Sequence, residues 1–347
     1  MINELTILND NTHSLEKKVE FLSHATSYPD TTHVEALETH MSWVFLTDLY
    51  AYKLKKPVHY DFLDFTTPEA RHHFCLEELR INRPLAGDTY LGIVTLNAED
   101  GTLNLNGAGE PVDWLVKMKR LPEEHMLHIA IRDGKVRNEW VQQAAEMLVD
   151  FYMASPPVMK DPVQYRQQLV KDIERNGEEL LHEEFNLSQA VIIGITTDLL
   201  HYIIKYTDLF DQRISEGRII ECHGDLRPEH ICLAPKPVII DRVEFSRDLR
   251  IMDVAEELSS LALECGILHA PTTGQLFLNT YYWKSRDKIP DTLMSFYKAK
   301  RAFLRAKLSI HHLLEAKYRR DAQKWESRCE AYLVAAGKYG DELPKKC

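Results

Sequence analysis

Apolar residues recur at helical spacing near the start of the chain. Leu15, Val19, Phe21 and Leu22 follow Ser14, whose hydroxyl suits a cap position, and Pro29-Asp30 breaks the run, which predicts an amphipathic helix over residues 13–25. Between Val34 and Val58 the texture changes. The stretches SWVFLTD and LYAYKLKKPV are rich in β-branched and aromatic residues and meet at a turn around Asp48, which predicts a hairpin. Thr67-Pro68-Glu69 then has the cap, first-turn proline and acidic residue of a helix start, and Phe74, Leu79 and Ile81 carry that helix to Leu85. Strand texture returns in YLGIVTLN and VDWLVKMKRL, on either side of a Gly-rich tip from Glu99 to Gly109.

This order of strands, one helix and further strands predicts a small antiparallel sheet with a helix packed on it. From about residue 123 the pattern is mostly helical, interrupted by one strand cluster between Arg218 and Phe245. The shift places a boundary between 1–121 and 122–347, in an α+β chain with no internal repeat and no low-complexity linker. The last sixty or so residues read as two long helices. Tyr297, Lys298, Arg301 and Arg305 form a stripe on the first of them, open to contact with substrate or phosphate, with a solvated face the commoner reading.

Charge narrows the choice of partners. With 42 basic and 53 acidic residues among 347, the net charge of −11 opposes phosphate backbones and anionic membrane surfaces, so neither nucleic acid nor membrane is expected as a partner. No stretch approaches the roughly 18 uncharged apolar residues of a bilayer span, and the start lacks a basic and then apolar leader, which predicts a cytoplasmic protein. Six cysteines without a CxxC pair predict free thiols.

The chemistry concentrates in residues 219–245, IIECHGDLRPEHICLAPKPVIIDRVEF. A strand ends at His223-Gly224-Asp225, and two further strands, 230–234 and 238–241, flank a Pro235-Lys236-Pro237 turn. Five residues out and five back return Asp241 to about one strand spacing, roughly 4.8 Å, from His230 and Ile231. Asp225, His230 and Asp241 are therefore expected at one rim. Two carboxylates and an imidazole are costly to gather unless a cation or a proton transfer uses them.

With these residues in view, the chain resembles the aminoglycoside phosphotransferases, whose fold is similar to that of protein kinases. Their pattern of His-Gly-Asp, an Asn five residues on, and a later Asp opening a metal-binding segment is similar to His223, Gly224, Asp225, position 230 and Asp241. Asp253 stands where the family places another structural Asp, and is expected to cap or brace the catalytic loop. The resemblance implies a two-lobed, protein-kinase-like α+β fold with ATP in the cleft between the lobes. It also implies that a lysine of YAYKLKKPV, Lys53 or its neighbour on the same strand face Lys55, pairs with nucleotide phosphates, and that Glu78 or Glu77 holds that lysine. Backbone groups from Met118 to Arg120 would meet adenine. The chain is most similar to the kinase-like portion of bacterial proteins that fuse a phosphotransferase to an ATP-binding domain; the GxxxxGK[ST] motif of that second domain does not occur in it.

The implied activity is transfer of the γ-phosphoryl group of ATP to a hydroxyl of a small molecule. Such transfer needs positioning and charge neutralisation more than covalent help: Asp225 to orient the acceptor, Asp241 to hold Mg²⁺ and Lys53 to hold the phosphates. Two departures stand out. His230 replaces an oxygen donor, and imidazole suits zinc better than Mg²⁺, so His230 either lines a weak second metal position or contacts phosphate or Asp225. The region Thr39–Asp48 has no glycine, so phosphate contacts there fall to Thr39, Ser42 or main-chain amides. The rival function is a nucleotide-binding pseudokinase or regulatory module without turnover. A zinc site at Cys222, His223, His230 and Cys232 is disfavoured by spacing.

Overall fold

The structure, a computed structural model, describes residues 13–29, 31–60 and 63–344. In chain order the main elements are α1 (Leu15–Leu22), β1 (Glu35–Glu38), β2 (Ser42–Leu46), β3 (Tyr50–Lys55), β4 (His59–Tyr60), β5 (Leu63–Asp64), α2 (Pro68–Ala86), β6 (Tyr90–Glu99), β7 (Thr102–Leu105) and β8 (Glu110–Lys119). Then follow α3 (Leu127–Arg132), α4 (Asn138–Ala154), α5 (Pro162–Leu180), α6 (Gln189–Lys205), α7 (Thr207–Ser215), β9 (Ile219–Glu221), β10 (Ile231–Cys232), β11 (Val238–Ile239), β12 (Ile251–Asp253), α8 (Val254–Ile267), α9 (Pro271–Ser285), α10 (Asp291–His311) and α11 (Ala322–Asp341). The chain forms two compact units. The first takes the described residues to Ile129 together with His230–Leu249; the second takes Ala130–Glu229 and the described residues from Arg250 onward. The sequence reading placed 230–245 with the helical part, whereas its packing partners group it with the N-terminal sheet.

In the first unit an antiparallel sheet of six strands runs in the order β1-β2-β3-β8-β6-β7. The expected hairpin over Val34–Val58 is a three-stranded meander, because a tight turn at Thr39–Ser42 splits its first arm; Thr39 N–H donates to Ser42 O at 2.8 Å. The Gly-rich tip likewise contains a strand, since Thr102–Leu105 alternates and pairs back on β6. Helix α1 is shorter than predicted: after Leu22 the chain tightens into a 3₁₀ turn at Ala25–Ser27. Helix α2 starts where its sequence says, with Pro68 in the first turn and Thr67 Oγ1 accepting from Ala70 N–H at 3.2 Å. It packs on β8 and β6, and Cys75, Ile81 and Leu85 are buried.

The second unit is mostly helical, and a large apolar core lies within it. Tyr202, Phe210, Phe296, Tyr297, Phe303 and Tyr332 are fully buried there, with Tyr202 and Phe296 stacked at 4.9 Å between ring centroids. Burying one such ring contributes about 1.5–3 kcal/mol. This packing overturns the solvated stripe on α10. Tyr297 is buried and donates to Asp253 Oδ2 at 3.1 Å, while Arg301 and Arg305 turn inward to the carboxylates of Asp225 and Glu264. The basic residues are inside because each has an acidic partner there.

Candidate active site

On β3, Lys53 and Lys55 share a face because strand side chains alternate with period two. Both reach the same carboxylate. Lys53 Nζ donates to Glu78 Oε1 at 3.0 Å and Lys55 Nζ to Glu78 Oε2 at 2.7 Å. Glu77, the other candidate, faces outward and receives Arg80 Nε at 2.7 Å. Each lysine then has a second partner of its own: Asp241 Oδ1 at 2.6 Å for Lys53, and Glu244 for Lys55. Burial works against both ammonium groups, yet the facing carboxylates outweigh it and raise both lysines above their ordinary value. Burial likewise pushes Glu78 up, but Lys53 and Lys55 together hold its carboxyl below the usual 4.5.

The ribbon that brings Asp241 there is β10 paired with β11, Ile231 opposite Ile239 and Cys232 opposite Val238. It continues by one bond, Ile240 N–H to His230 O at 3.0 Å, which fixes the register linking His230 to Asp241. His230 Nε2 lies 3.6 Å from Asp241 Oδ2, a contact outside the roles expected for this imidazole, which were a weak second metal position, phosphate or Asp225. Asp241 sits at φ +65°, a conformation unusual for a residue with a side chain, and its neighbours hold it. Its N–H donates to Tyr90 Oη at 3.1 Å, and the next N–H, of Arg242, donates to Asn82 Oδ1 at 2.9 Å. Tyr90 and Asn82 were not read from the sequence, since nothing local marks either as a partner of a segment about 150 residues away. The Asp241 side chain keeps 43% of its surface exposed. A partly exposed carboxylate fits Mg²⁺, which binds through one or two carboxylates and completes its shell with phosphate oxygens and water. Among the described residues no group of three or more His, Cys, Asp or Glu is arranged to hold a metal ion.

In the second unit β9 pairs with β12, and the chain leaves β9 through His223-Gly224-Asp225. Gly224 has φ +95°, which a side chain would resist, so this position needs its glycine. Glu257 of α8, 1% exposed, grips the loop: His223 N–H donates to its Oε2 at 3.0 Å, Gly224 N–H to its Oε1 at 2.7 Å, and Tyr152 Oη to its Oε2 at 2.6 Å. The bracing expected of Asp253 falls to Glu257 four residues on. Asp253 caps α8 through Ala255 N–H at 2.8 Å and is held by Arg213 at 2.7 and 2.8 Å. His223 is fully buried, and its Nδ1 accepts from Asp225 N–H at 3.4 Å, a structural use. The Asp225 carboxylate is met by two guanidinium groups, Arg227 Nε at 3.0 Å and Arg301.

The remaining candidates are placed less favourably for a nucleotide. Ser42 is buried at the end of the tight turn, and its N–H is engaged by Thr39 Oγ1 at 3.0 Å. Met118 lies within β8, bracketed by Ala51 and Tyr90. Arg120 N–H donates to Leu49 O, and Lys119 N–H to Thr89 O, both at 2.9 Å, so neither amide is spare for an adenine edge.

Among solved structures the chain is similar to a choline/ethanolamine kinase family protein from Mesorhizobium loti, with a TM-score of 0.51 and 14% identity over 93% of this chain and 98% of that one. A thermostable mutant of aminoglycoside phosphotransferase APH(4)-Ia, in ternary complex with AMP-PNP and hygromycin B, gives a TM-score of 0.51 and 11% identity over 92% and 98%. LicA in complex with AMP gives 0.51 and 14% over 94% and 99%. The chain thus has the protein-kinase-like fold of the aminoglycoside phosphotransferases and choline kinases. In sequence it is 31% identical over 294 residues to uncharacterized proteins of Mycobacterium tuberculosis and Mycobacterium bovis, covering 83% of this chain. The chain spans 57% of the length of those relatives. No family model matches it.

Proposed function

We propose that the protein transfers the γ-phosphoryl group of ATP to a hydroxyl of a small molecule. The observation that carries this reading is the ammonium of Lys53, gripped between buried Glu78 and half-exposed Asp241. A kinase-like fold uses such a group to receive phosphate oxygens, and here it stands beside Asp241, a carboxylate of the kind Mg²⁺ takes. Lys53 would bind the phosphates and Asp241 would hold the metal, which when bound neutralises charge on the phosphate oxygens. Asp225 would orient the acceptor. Its carboxylate takes the hydroxyl proton as the acceptor oxygen bonds to phosphorus, the bond from phosphorus to the β–γ bridging oxygen breaks, and ADP leaves with that electron pair.

Thermal unfolding with ATP tests the reading. At a hundredfold excess over Kd, ATP stabilises by about 2.7 kcal/mol, or about 5–11 °C in Tm for a unit of roughly 150–250 residues. The shift should need Mg²⁺ and lose that dependence in Asp241→Asn, and Asp225→Ala should keep the shift while losing ATP consumption. Stabilisation without a metal effect and without consumption would favour a nucleotide-binding module instead. No stabilisation by any nucleotide would remove both readings.

A further inference from the structure

Beside Asp225, within the second unit, Gly224, Met252, Glu256, Glu257, Ser260 and Arg301 line a pocket of about 200 Å³ counting its open mouth. Most of that volume is the open mouth; the enclosed part has room for about one water-sized group, so a single oxygen of a ligand enters it.

The polar groups of this pocket are unevenly engaged. Both oxygens of Glu257 are taken by the loop amides and Tyr152, and Glu256 accepts from Lys300 Nζ at 2.6 Å. Ser260, 4% exposed, has a buried hydroxyl with no hydrogen-bond partner. Arg301 donates through Nη2 to Asp225, while its buried Nε also has no partner. A guanidinium offers five donors in a fixed fork, so its contact with Asp225 leaves capacity for a second anion. An unmet buried donor is costly, and a ligand that satisfies it gains accordingly. What the pocket still offers is a cationic fork and a hydroxyl that donates or accepts, with the second oxygen of Glu256 beside them.

Resting on the kinase reading above, we propose that the acceptor carries an anionic group, a carboxylate or a phosphate, near its reacting hydroxyl, and that Arg301 and Ser260 receive it. This runs against the net charge of −11, which taken alone favours a cationic acceptor. Local donors decide because bulk charge acts through solvent screened over about 8–10 Å, whereas Arg301 touches the pocket itself. Arg301 then has two states: bound to Asp225 when the pocket is empty, and shared with the acceptor when it is filled, which frees a carboxylate oxygen for the hydroxyl proton.

Inorganic phosphate serves as the probe, titrated into the full chain saturated with Mg²⁺ and AMP-PNP so that the nucleotide phosphates are already in place. Wild type should bind phosphate, Arg301→Gln should weaken it by about tenfold or more, as expected for a lost charged hydrogen bond, and Ser260→Ala by a few-fold. Arg301→Lys should recover part of the loss, which separates recognition from misfolding. Choline chloride at equal ionic strength should not bind. Phosphate affinity unchanged in Arg301→Gln, no phosphate binding, or choline binding as well as phosphate would each overturn the anionic acceptor. Failure of AMP-PNP to bind would count against the kinase reading alone, and the Arg301→Gln comparison would then be read on the nucleotide-free protein with the same criteria.

Discussion

Replacing Glu257 by glutamine tests the claim that one buried carboxylate shapes the loop carrying Asp225. The side chain is nearly isosteric, so the change is confined to hydrogen bonding and charge. In the wild type two backbone N–H groups and the Tyr152 hydroxyl converge on two oxygens at 2.7–3.0 Å and 2.6 Å. Glutamine has a single oxygen. In its better orientation that oxygen keeps His223 N–H and Tyr152, and the new NH₂ faces Gly224 N–H, donor against donor. Leaving one buried amide unmet costs about 1–3 kcal/mol, and turning two charge-assisted bonds into neutral ones removes roughly another 1–2 kcal/mol. The expected loss is therefore about 2–5 kcal/mol, or roughly 4–20 °C in Tm at about 2–4 °C per kcal/mol. Hydrogen exchange localises it: the Gly224 amide should exchange at least about tenfold faster, and more so than amides in α10. Tyr152→Phe supplies the second arm of a double-mutant cycle, with a coupling above about 0.5 kcal/mol expected for groups in contact. If Glu257→Gln lies within about 0.5 kcal/mol of wild type, or Gly224 exchange is unchanged, the carboxylate does not hold this loop and the argument fails.

Lys53 and Lys55 should separate by assay. Lys55 is fully buried with two buried partners, so Lys55→Met breaks a desolvated network and should cost about 3–5 kcal/mol in urea unfolding. Lys53→Met, one of whose partners is 43% exposed, should cost less stability but weaken ATP binding more; the reverse order would reassign the phosphate lysine. For pH, Glu78 is depressed below 4.5 in the fold, so its contribution is present above that value and fades as pH falls through the lowered one. Lys53 is raised above 10.5, so its contribution holds below 10.5 and is lost only as pH climbs past the raised value. Urea unfolding between pH 5 and 3 should show Glu78→Gln losing less stability on acidification than wild type; equal slopes would show that Glu78 is not held down by its lysines.

What the sequence made legible and what it hid follow from the range of each interaction. Period-two alternation put Lys53 and Lys55 on one face of β3, and the ribbon arithmetic brought His230 to Asp241, since both depend on residues within a dozen positions. The choice between Glu77 and Glu78 needed the facing of α2 toward β8, a tertiary fact its weakly amphipathic sequence does not express. Glu257 and Arg301 lie 33 and 76 positions from the loop residues they touch, beyond the reach of any local period. Basic residues on α10 look like a solvated face because one sequence carries no sign of where their carboxylates will be. The two residues that set the loop and its pocket are thus those whose partners arrive from elsewhere in the chain. If the proposed function holds, Lys53 and Asp241 are readable in short motifs while the acceptor preference is written in packing. On the proposed function, that preference is better sought in the partners of Asp225 than in net charge, because a guanidinium held on the Asp225 carboxylate would select by direct contact, at distances where screening has no room to act.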